Sequence, residues 1–414
     1  MRAMDTIAER ESLLLPSGTR LVHIGPPKTA TSAVQGSFHA ARAATEAQGV
    51  HYAGSQRHSG IAVQAVTGRA GFYTDGKPAP MRHWHRLMRD VRSSRAGRVV
   101  ISSEFFADAL PESIPAILAD LDPSRVHVVV TLRPLAKILP SQWQQYVQSG
   151  MLASYDVFLD RQFNEPEGSY TPTFWRRHRH DRLVERWASA VGPDNVTVIA
   201  LDETDREMVL RTFEQLTGLR TGTLTLQPEV TNRSMTMPEI EAVRAFNRVL
   251  RAEGLGSSMQ SGIVHFGTAP YMRLRTPEPD EMKVETPQWA LDRVATLARE
   301  MVDTIANIGV RVVGDLDTLA VVAPSRLEGE QQPPVLVPPA VAASMAMGVV
   351  YASGLAGNAV AGPDRSGPRS SAARIGGEPA DLVRVPTRAL VTLLVRRGLT
   401  SVRRRLPGGK KRPA

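Results

Sequence analysis

Between Gly25 and Ser32 the chain reads Gly-Pro-Pro-Lys-Thr-Ala-Thr-Ser. One lysine and three hydroxyl residues are packed into a turn. The turn runs from a short apolar stretch, Leu21 to Ile24, into a helical pattern that starts at Thr31. Backbone N–H groups at a helix N-terminus, a cation beside them and hydroxyls as extra donors make an anion cradle, and phosphate is its usual occupant. The spacing is not that of the nucleotide triphosphatases. Gly-x4-Gly-Lys-Ser/Thr counted from Gly25 would need Gly at 30 and Lys at 31. The chain has Ala30 and Thr31, and its lysine comes earlier, at Lys28.

A second constellation lies about a hundred residues on. A buried strand pattern, Val126 to Leu132, ends in Arg133, and Pro134 suits the first turn of a following helix. Ser141 comes eight residues after Arg133, about two turns into that helix. A guanidinium fork with a nearby hydroxyl suits a phosphate monoester. The alternative is an arginine paired with an acid at the sheet edge. A third group follows the strand pattern at Arg98 to Ser102. Glu104 there falls on the same rim as Lys28 and is the first candidate for a general base, with capping or an ion pair to Arg133 as its structural alternative. His58, in the polar run Gln56-Arg-His-Ser-Gly60, is the second candidate. His83-x-His85 and His178-x-His180 imitate metal spacings. Both lie among arginines in patterns that read as solvated helices, so no metal site is expected. Trp84, Trp143 and Trp175 read as core or as pocket walls.

These residues need a scaffold that delivers them to one edge. Leu21–Ile24, Arg98–Ser102, Val126–Leu132 and Val196–Leu201 read as short buried strands. Helical patterns alternate with them at Thr31–Gln48, Ile114–Leu121, Leu135–Gln148, Phe174–Val191 and Arg206–Thr217, with later ones at Pro238–Ala252 and Pro287–Ile308. Continuous apolar strands between helices predict an α/β fold, a mostly parallel sheet flanked by helices. Ligands in such sheets bind outside the C-terminal strand ends, where Gly25, Glu104 and Arg133 all fall.

The net charge is +9, but it is unevenly spread. From Asp364 onward thirteen Arg or Lys face three acids, a balance of +10, so the other 363 residues sum to −1. The basic character belongs to the tail, which removes most of the case for nucleic acid as a partner. With no cysteine, disulfides, thiol nucleophiles and Cys-based metal sites are excluded. The first sixteen residues lack a secretory pattern, which gives a cytoplasmic expectation. Three regions follow. Residues 17–324 form the α/β body. Residues 325–363 are an Ala/Val/Pro-rich segment, uncharged from Gln331, with a helix expected to pack on the body. Residues 364–414 are a basic linker and tail, so that the fold ends in a helical or disordered C-terminal extension. Within the tail, Thr387–Leu406 sets an apolar stripe against a basic one and could lie on an anionic membrane surface, which allows a peripheral location. Nothing in the sequence indicates an oligomeric state.

Together the two phosphate constellations resemble those of the sulfotransferases that use 3′-phosphoadenosine 5′-phosphosulfate (PAPS). Their 5′-phosphosulfate loop, Pro-Lys-Ser/Thr-Gly-Thr-Thr/Ser, is matched by Pro27-Lys28-Thr29-Ala30-Thr31-Ser32. Their 3′-phosphate motif, a strand ending in Arg before a helix carrying Ser, is matched by Arg133 and Ser141. Leu183 to Ile199 is similar to a helix–strand unit that follows in the family, and Val230-Thr-Asn-Arg-Ser234 to a later Asn-x-Ser element. The likeness spans roughly residues 21–234. It implies a P-loop NTPase-like sulfotransferase fold, PAPS as co-substrate without a metal, and a carbohydrate, glycolipid or small-molecule hydroxyl or amine as acceptor. It also implies Lys28 at the bridging oxygen, residues 27–32 on the 5′-phosphate, and Glu104 or His58 as base. Ala30 departs from the family's glycine; alanine fits there at negative φ, and a required positive φ would lower affinity for the phosphate. A P-loop kinase and a non-catalytic nucleotide-binding scaffold are the rival readings.

Overall fold

The computed structural model describes residues 13–353 apart from 70–77, 167–170, 172, 228–232, 328, 330, 331 and 333. The 364–414 tail with its Thr387–Leu406 helix, the linker before it, and Val230 to Asn232 lie outside the described residues.

Six parallel strands form one sheet: β1 Arg20–Ile24, β2 Val50–Tyr52, β3 Arg98–Ser102, β4 Val126–Leu132, β5 Val196–Ala200 and β6 Arg311–Val313. Their spatial order is β2-β3-β1-β4-β5-β6. The parallel α/β expectation holds, for the reason the composition gave. Every residue of β4 and β5 is buried, and strands covered on both faces by helices read as unbroken apolar runs. Val22, Val128 and Val198 face one layer with Trp84 and Trp187. Leu21, Val129 and Ile199 face the other with Phe38 and Phe213. A third cluster joins the helices Leu135–Gln148, Tyr155–Asn164, Met237–Ala252 and Gln288–Ile308 beside the sheet, around buried Trp143, Tyr155 and Phe158. Trp175 is half-buried at the edge of that cluster.

From β1 the chain passes to β2 and β3 on one side, then crosses from β3 to β4 on the other side of β1. That makes its C-terminal end the switch point where such sheets bind ligands. The register puts His23 of β1 opposite Ser102 of β3 and Val129 of β4.

Several elements differ from the sequence reading. The pattern from Thr31 to Gln48 divides at Ala41 into helices Thr31–Ala40 and Arg42–Glu46, and Gly49, at φ 77, turns the chain into β2. The pattern from Phe174 to Val191 breaks at Arg179, whose ψ of 84 leaves the helix and whose side chain pairs with Asp181. The break turns both His178 and His180 inward, 0% and 2% exposed, so they do not lie on solvated faces as expected. Pro134 precedes the Leu135–Gln148 helix instead of opening it. Pro140 inside that helix leaves the Ala136 carbonyl without its usual N–H partner.

The segment Ser261–Thr268 is a π-helix, a form that recurs at functional sites. The uncharged helix Pro339–Ala352 lies on it. Contact there needs two glycines: a Cβ on Gly267 would meet Ala352 Cβ at 2.3 Å, and one on Gly348 would meet Thr268 Cα at 2.5 Å. No helix among the described residues is long and apolar enough to cross a membrane.

Candidate functional site

The loop at the end of β1 rests on a buried polar ladder. His23 Nδ1 meets Ser102 Oγ at 2.8 Å and Nε2 meets Thr131 Oγ1 at 3.2 Å. Thr131 Oγ1 lies 3.0 Å from Thr29 Oγ1, which donates to the Pro26 carbonyl at 2.8 Å. Burial alone pulls His23 down to about 3, so the ring is neutral at any physiological pH. Phe213 stands edge-on to it with centroids 4.9 Å apart. Three adjacent strands are thereby tied to the loop by hydroxyl and imidazole groups instead of by packing alone.

Gly25 is the tightest point. A Cβ there would stand 2.0 Å from Thr31 Oγ1 and 3.0 Å from both His23 Nε2 and Thr131 Oγ1. Thr31 uses that room to donate to the Gly25 carbonyl at 2.8 Å. The hydroxyls of Thr29 and Thr31 therefore brace the loop from inside, while Ser32 is exposed and its carbonyl accepts from Arg57 at 2.8 Å. Lys28 and Ala30 take positive φ, 75° and 61°. Ala30 thus holds the left-handed conformation that the family's glycine would reach without strain, and it does so as the N-cap of the Thr31–Ala40 helix with no side-chain cap.

Lys28 is mostly buried, and its ammonium is pulled down to about 8 by burial, then by the charges of Arg273 and Arg133. Arg133 and Arg273, from two other parts of the chain, are thus near enough for their charges to act on Lys28. Arg133 leaves β4 as the spacing predicted, and it is not free. Its Nε and Nη2 donate to Glu203 at 2.6 and 2.8 Å, the sheet-edge ion pair that was the alternative reading. The pair is part-exposed, 27% and 43%. A cleft of about 680 Å³ opens beside it, lined among others by Arg133, Lys137, Ser141, Arg233, Lys283 and Arg326. The structure brings Arg133 and Ser141 into this one cleft.

Arg273 and His265 carried no sequence signal, since nothing near them has a motif's spacing. Arg273 donates to Gln148 Oε1 at 2.7 Å, and burial and then Arg233 hold its pKa below the usual value. His265, on the π-helix, is held low by burial, by Arg273 and by Lys28, which places it with the same cations. Neighbouring Glu239 organises the wall. It is 0% exposed and accepts from Arg233 at 2.7 Å with each oxygen, from Arg275, and from the Thr236 N–H in a capping box. Burial pushes its carboxyl up, but the hydrogen bonds from Arg233, Thr236 and Arg275 outweigh that and keep it low.

Glu104 opens a one-turn 3₁₀ helix, Glu104–Asp108, just beyond β3. Ser103 caps that turn and Arg133 is paired elsewhere, so neither structural alternative holds for Glu104. Its Oε2 accepts from Gln35 at 3.4 Å, and Gln35 belongs to the helix that Ala30 starts. Glu104 is thus tied, through one side chain, to the helix that follows the Gly25–Ser32 loop. His58 is exposed beside Gly60, where a Cβ would lie 3.4 Å from His58 Nδ1 and 2.9 Å from the Phe105 ring. Among the described residues no group of three His, Asp or Glu side chains is placed to hold a metal.

No family model matches the chain, and no curated protein does. Among solved structures the chain is similar to the crystal structure of a sulfotransferase from Alicyclobacillus acidocaldarius. The identity is 15% over 60% of this chain and 96% of that one, with a TM-score of 0.37. A likeness of that strength says nothing of activity.

Proposed function

We propose that the protein transfers a sulfuryl group from PAPS to a hydroxyl or amine of a carbohydrate, glycolipid or small-molecule acceptor. The observation that carries this reading is the parallel pairing of β1 with β4, which sets the Lys28 loop and Arg133 at the C-terminal ends of neighbouring strands. Two phosphate-seeking constellations far apart in sequence share one rim, as a nucleotide with phosphates at both 3′ and 5′ positions requires.

In this reading the loop's backbone N–H groups hold the 5′-phosphate, with Ser32 at its open side. Arg133 leaves Glu203 to grip the 3′-phosphate together with Ser141. The acceptor oxygen attacks sulfur as the bond from sulfur to the bridging oxygen breaks. The electron pair stays on the leaving phosphate oxygen, where Lys28 meets the growing charge. The acceptor proton passes to the Glu104 carboxylate, with His58 as the second candidate. A lysine whose ammonium is destabilised by burial and by two arginines gains most when an anion arrives, and that gain is largest where charge develops.

One observation favours a second reading. Ala30 at φ 61 keeps a strained residue where close phosphate approach is wanted, as in a nucleotide-binding scaffold without turnover. A P-loop kinase is the third. Calorimetry on the protein with adenosine 3′,5′-bisphosphate in EDTA, beside ATP with Mg²⁺ and an Arg133→Ala control, separates them. Micromolar metal-free binding of the bisphosphate, lost in the control, is expected. Binding of ATP that needs Mg²⁺, without bisphosphate binding, overturns the reading in favour of a kinase. Turnover with any acceptor eliminates the scaffold. Residues 364–414 carry the proposal of a membrane-presented acceptor, tested by binding to anionic vesicles with and without that segment.

A further inference from the structure

The last residue of the 3₁₀ turn that Glu104 opens is Asp108, a carboxylate only 2% exposed. Both its oxygens are taken by Arg177, through Nε at 2.7 Å and Nη2 at 2.5 Å. Three more guanidinium groups gather here. Arg176 adjoins Arg177 on the short helix Phe174–His178. Arg186 comes from the next helix and donates through Nη2 to the Ala107 carbonyl at 3.0 Å. Arg69 follows the helix Gly60–Val66, which packs on the 3₁₀ turn.

The donors outnumber the acceptors. Each of these three side chains is part-exposed, but Arg69 Nε, Arg176 Nη1 and Arg186 Nε are buried atoms with no hydrogen-bond partner among the described residues. The charges do not balance either. Arg176 is held low by burial and by Arg69, against the pull of Asp108, and Arg186 is drawn down to about 10 by burial and then by Arg176. Among the described residues, the acids that act on the group are Asp108 and, at Arg177, Glu104. Desolvated cations without counter-charge are costly, and unpaired buried N–H groups add to that cost. Proteins keep such arrangements where a ligand completes them.

We propose that Arg69, Arg176 and Arg186 form a seat for an anionic group of the acceptor, a carboxylate or a phosphate or sulfate ester. This rests on the sulfotransferase reading only for the word acceptor; the seat itself stands on the unpaired donors. The seat lies at one end of the 3₁₀ turn and Glu104 at the other, so an anchored acid fixes the distance from its own anion to the hydroxyl that reacts. Arg177 is held by Asp108, and its guanidinium lies 6.0 Å from the ring centroid of Phe105, the residue after Glu104. The acceptor class narrows to acidic compounds: uronic acids, phosphorylated or already sulfated sugars, or hydroxy acids.

The test uses the full chain in the presence of saturating adenosine 3′,5′-bisphosphate, so that the phosphate loop is filled. Glucuronate, inorganic phosphate and glucose are titrated separately, and binding is read by calorimetry and by the thermal midpoint. Saturable binding of glucuronate or phosphate, not of glucose, is expected, with at least tenfold weakening in Arg176→Gln and in Arg69→Gln and retention in Arg176→Lys. Preference for glucuronate assigns a planar carboxylate, and preference for phosphate a tetrahedral ester. No saturable binding of either anion, or equal binding in the folded Gln variants, overturns the seat. Bisphosphate affinity is measured on the same samples. If the bisphosphate fails to bind while an anion binds and is lost in Arg176→Gln, the seat stands and the sulfotransferase reading falls.

Discussion

Lys28 gives the sharpest quantitative test of the site. Its folded pKa is about 8 against the ordinary 10.5. In the free protein, therefore, the neutral amine is favoured between those values. The sign follows from proton counts: between pH 8 and 10.5 the unfolded chain binds more protons than the folded one, so stability rises with pH through that window. The depressed pKa means this contribution is present above the unfolded value and lost as pH falls through about 8. Its ceiling is about 3 kcal/mol, from roughly 1.4 kcal/mol per unit. Nucleotide phosphates reverse the balance by holding the charged form. If the bound state restores the ordinary pKa, affinity for adenosine 3′,5′-bisphosphate falls about 30-fold between pH 7 and 9.5. Binding at pH 8 then takes up about half a proton. Calorimetry in two buffers of different ionisation enthalpy reads both quantities. Lys28→Met should bind more weakly at pH 7 but with a flat profile through this window. An equally flat wild-type profile, or a slope that survives in Lys28→Met, refutes the assignment of Lys28 to the phosphate.

Other consequences are equally direct. Gly25→Ala puts a methyl 2.0 Å from Thr31 Oγ1 and should cost about 3 kcal/mol of stability in chemical denaturation, with nucleotide binding lost even in the folded fraction; a wild-type denaturation midpoint would contradict the packing described. Glu203→Gln frees the Arg133 fork, and because the pair is part-exposed its release should tighten bisphosphate binding only about two- to fivefold. Arg133→Ala should weaken the same binding about 10- to 100-fold, and the two results together show whether the fork or the ion pair is what the nucleotide meets. Asp108→Asn leaves Arg177 buried against an amide and should cost about 3–5 kcal/mol, read as a lowered thermal midpoint, whereas a silent substitution would mean that Arg177 finds another partner.

The sheet was legible because its strands are buried on both faces. Val126–Leu132 and Arg98–Ser102 have the bounds read from their apolar runs, as do the helices Ile114–Leu121 and Leu135–Gln148. The edge strands β2 and β6 were missed. They are three residues long, and β6 is half exposed, so they carry too little apolar pattern to stand out. The helices Gly60–Val66 and Tyr155–Asn164 were not among the helical patterns read from the sequence. Of the candidates named from the sequence, Lys28, Glu104 and Arg133 follow the ends of β1, β3 and β4, where local spacing had put them. Those not found, Arg273, His265, Arg177 and Arg186, come from helices whose own patterns record only which face is buried. What makes them functional candidates is the company they keep after folding, and no spacing rule encodes it.

Ala30 marks the boundary between the two kinds of knowledge. The resemblance showed only that Ala30 stands where the similar family has glycine; the backbone shows that Ala30 takes the left-handed conformation, φ 61 and ψ 11. The loop keeps its shape because Thr31 holds Gly25, Thr29 holds Pro26, and the His23 ladder holds Thr131. A strained residue persists where the surroundings over-determine it. Relieving it with Ala30→Gly therefore gains little stability. The left-handed conformation costs alanine about 1–2 kcal/mol, and the added freedom of glycine in the unfolded chain returns about 0.4–1 kcal/mol of that. The net gain should be below about 1.5 kcal/mol in denaturant titration, with the loop geometry unchanged. A larger gain would mean that the ladder does not fix the loop, and that the phosphate site forms only when its ligand arrives.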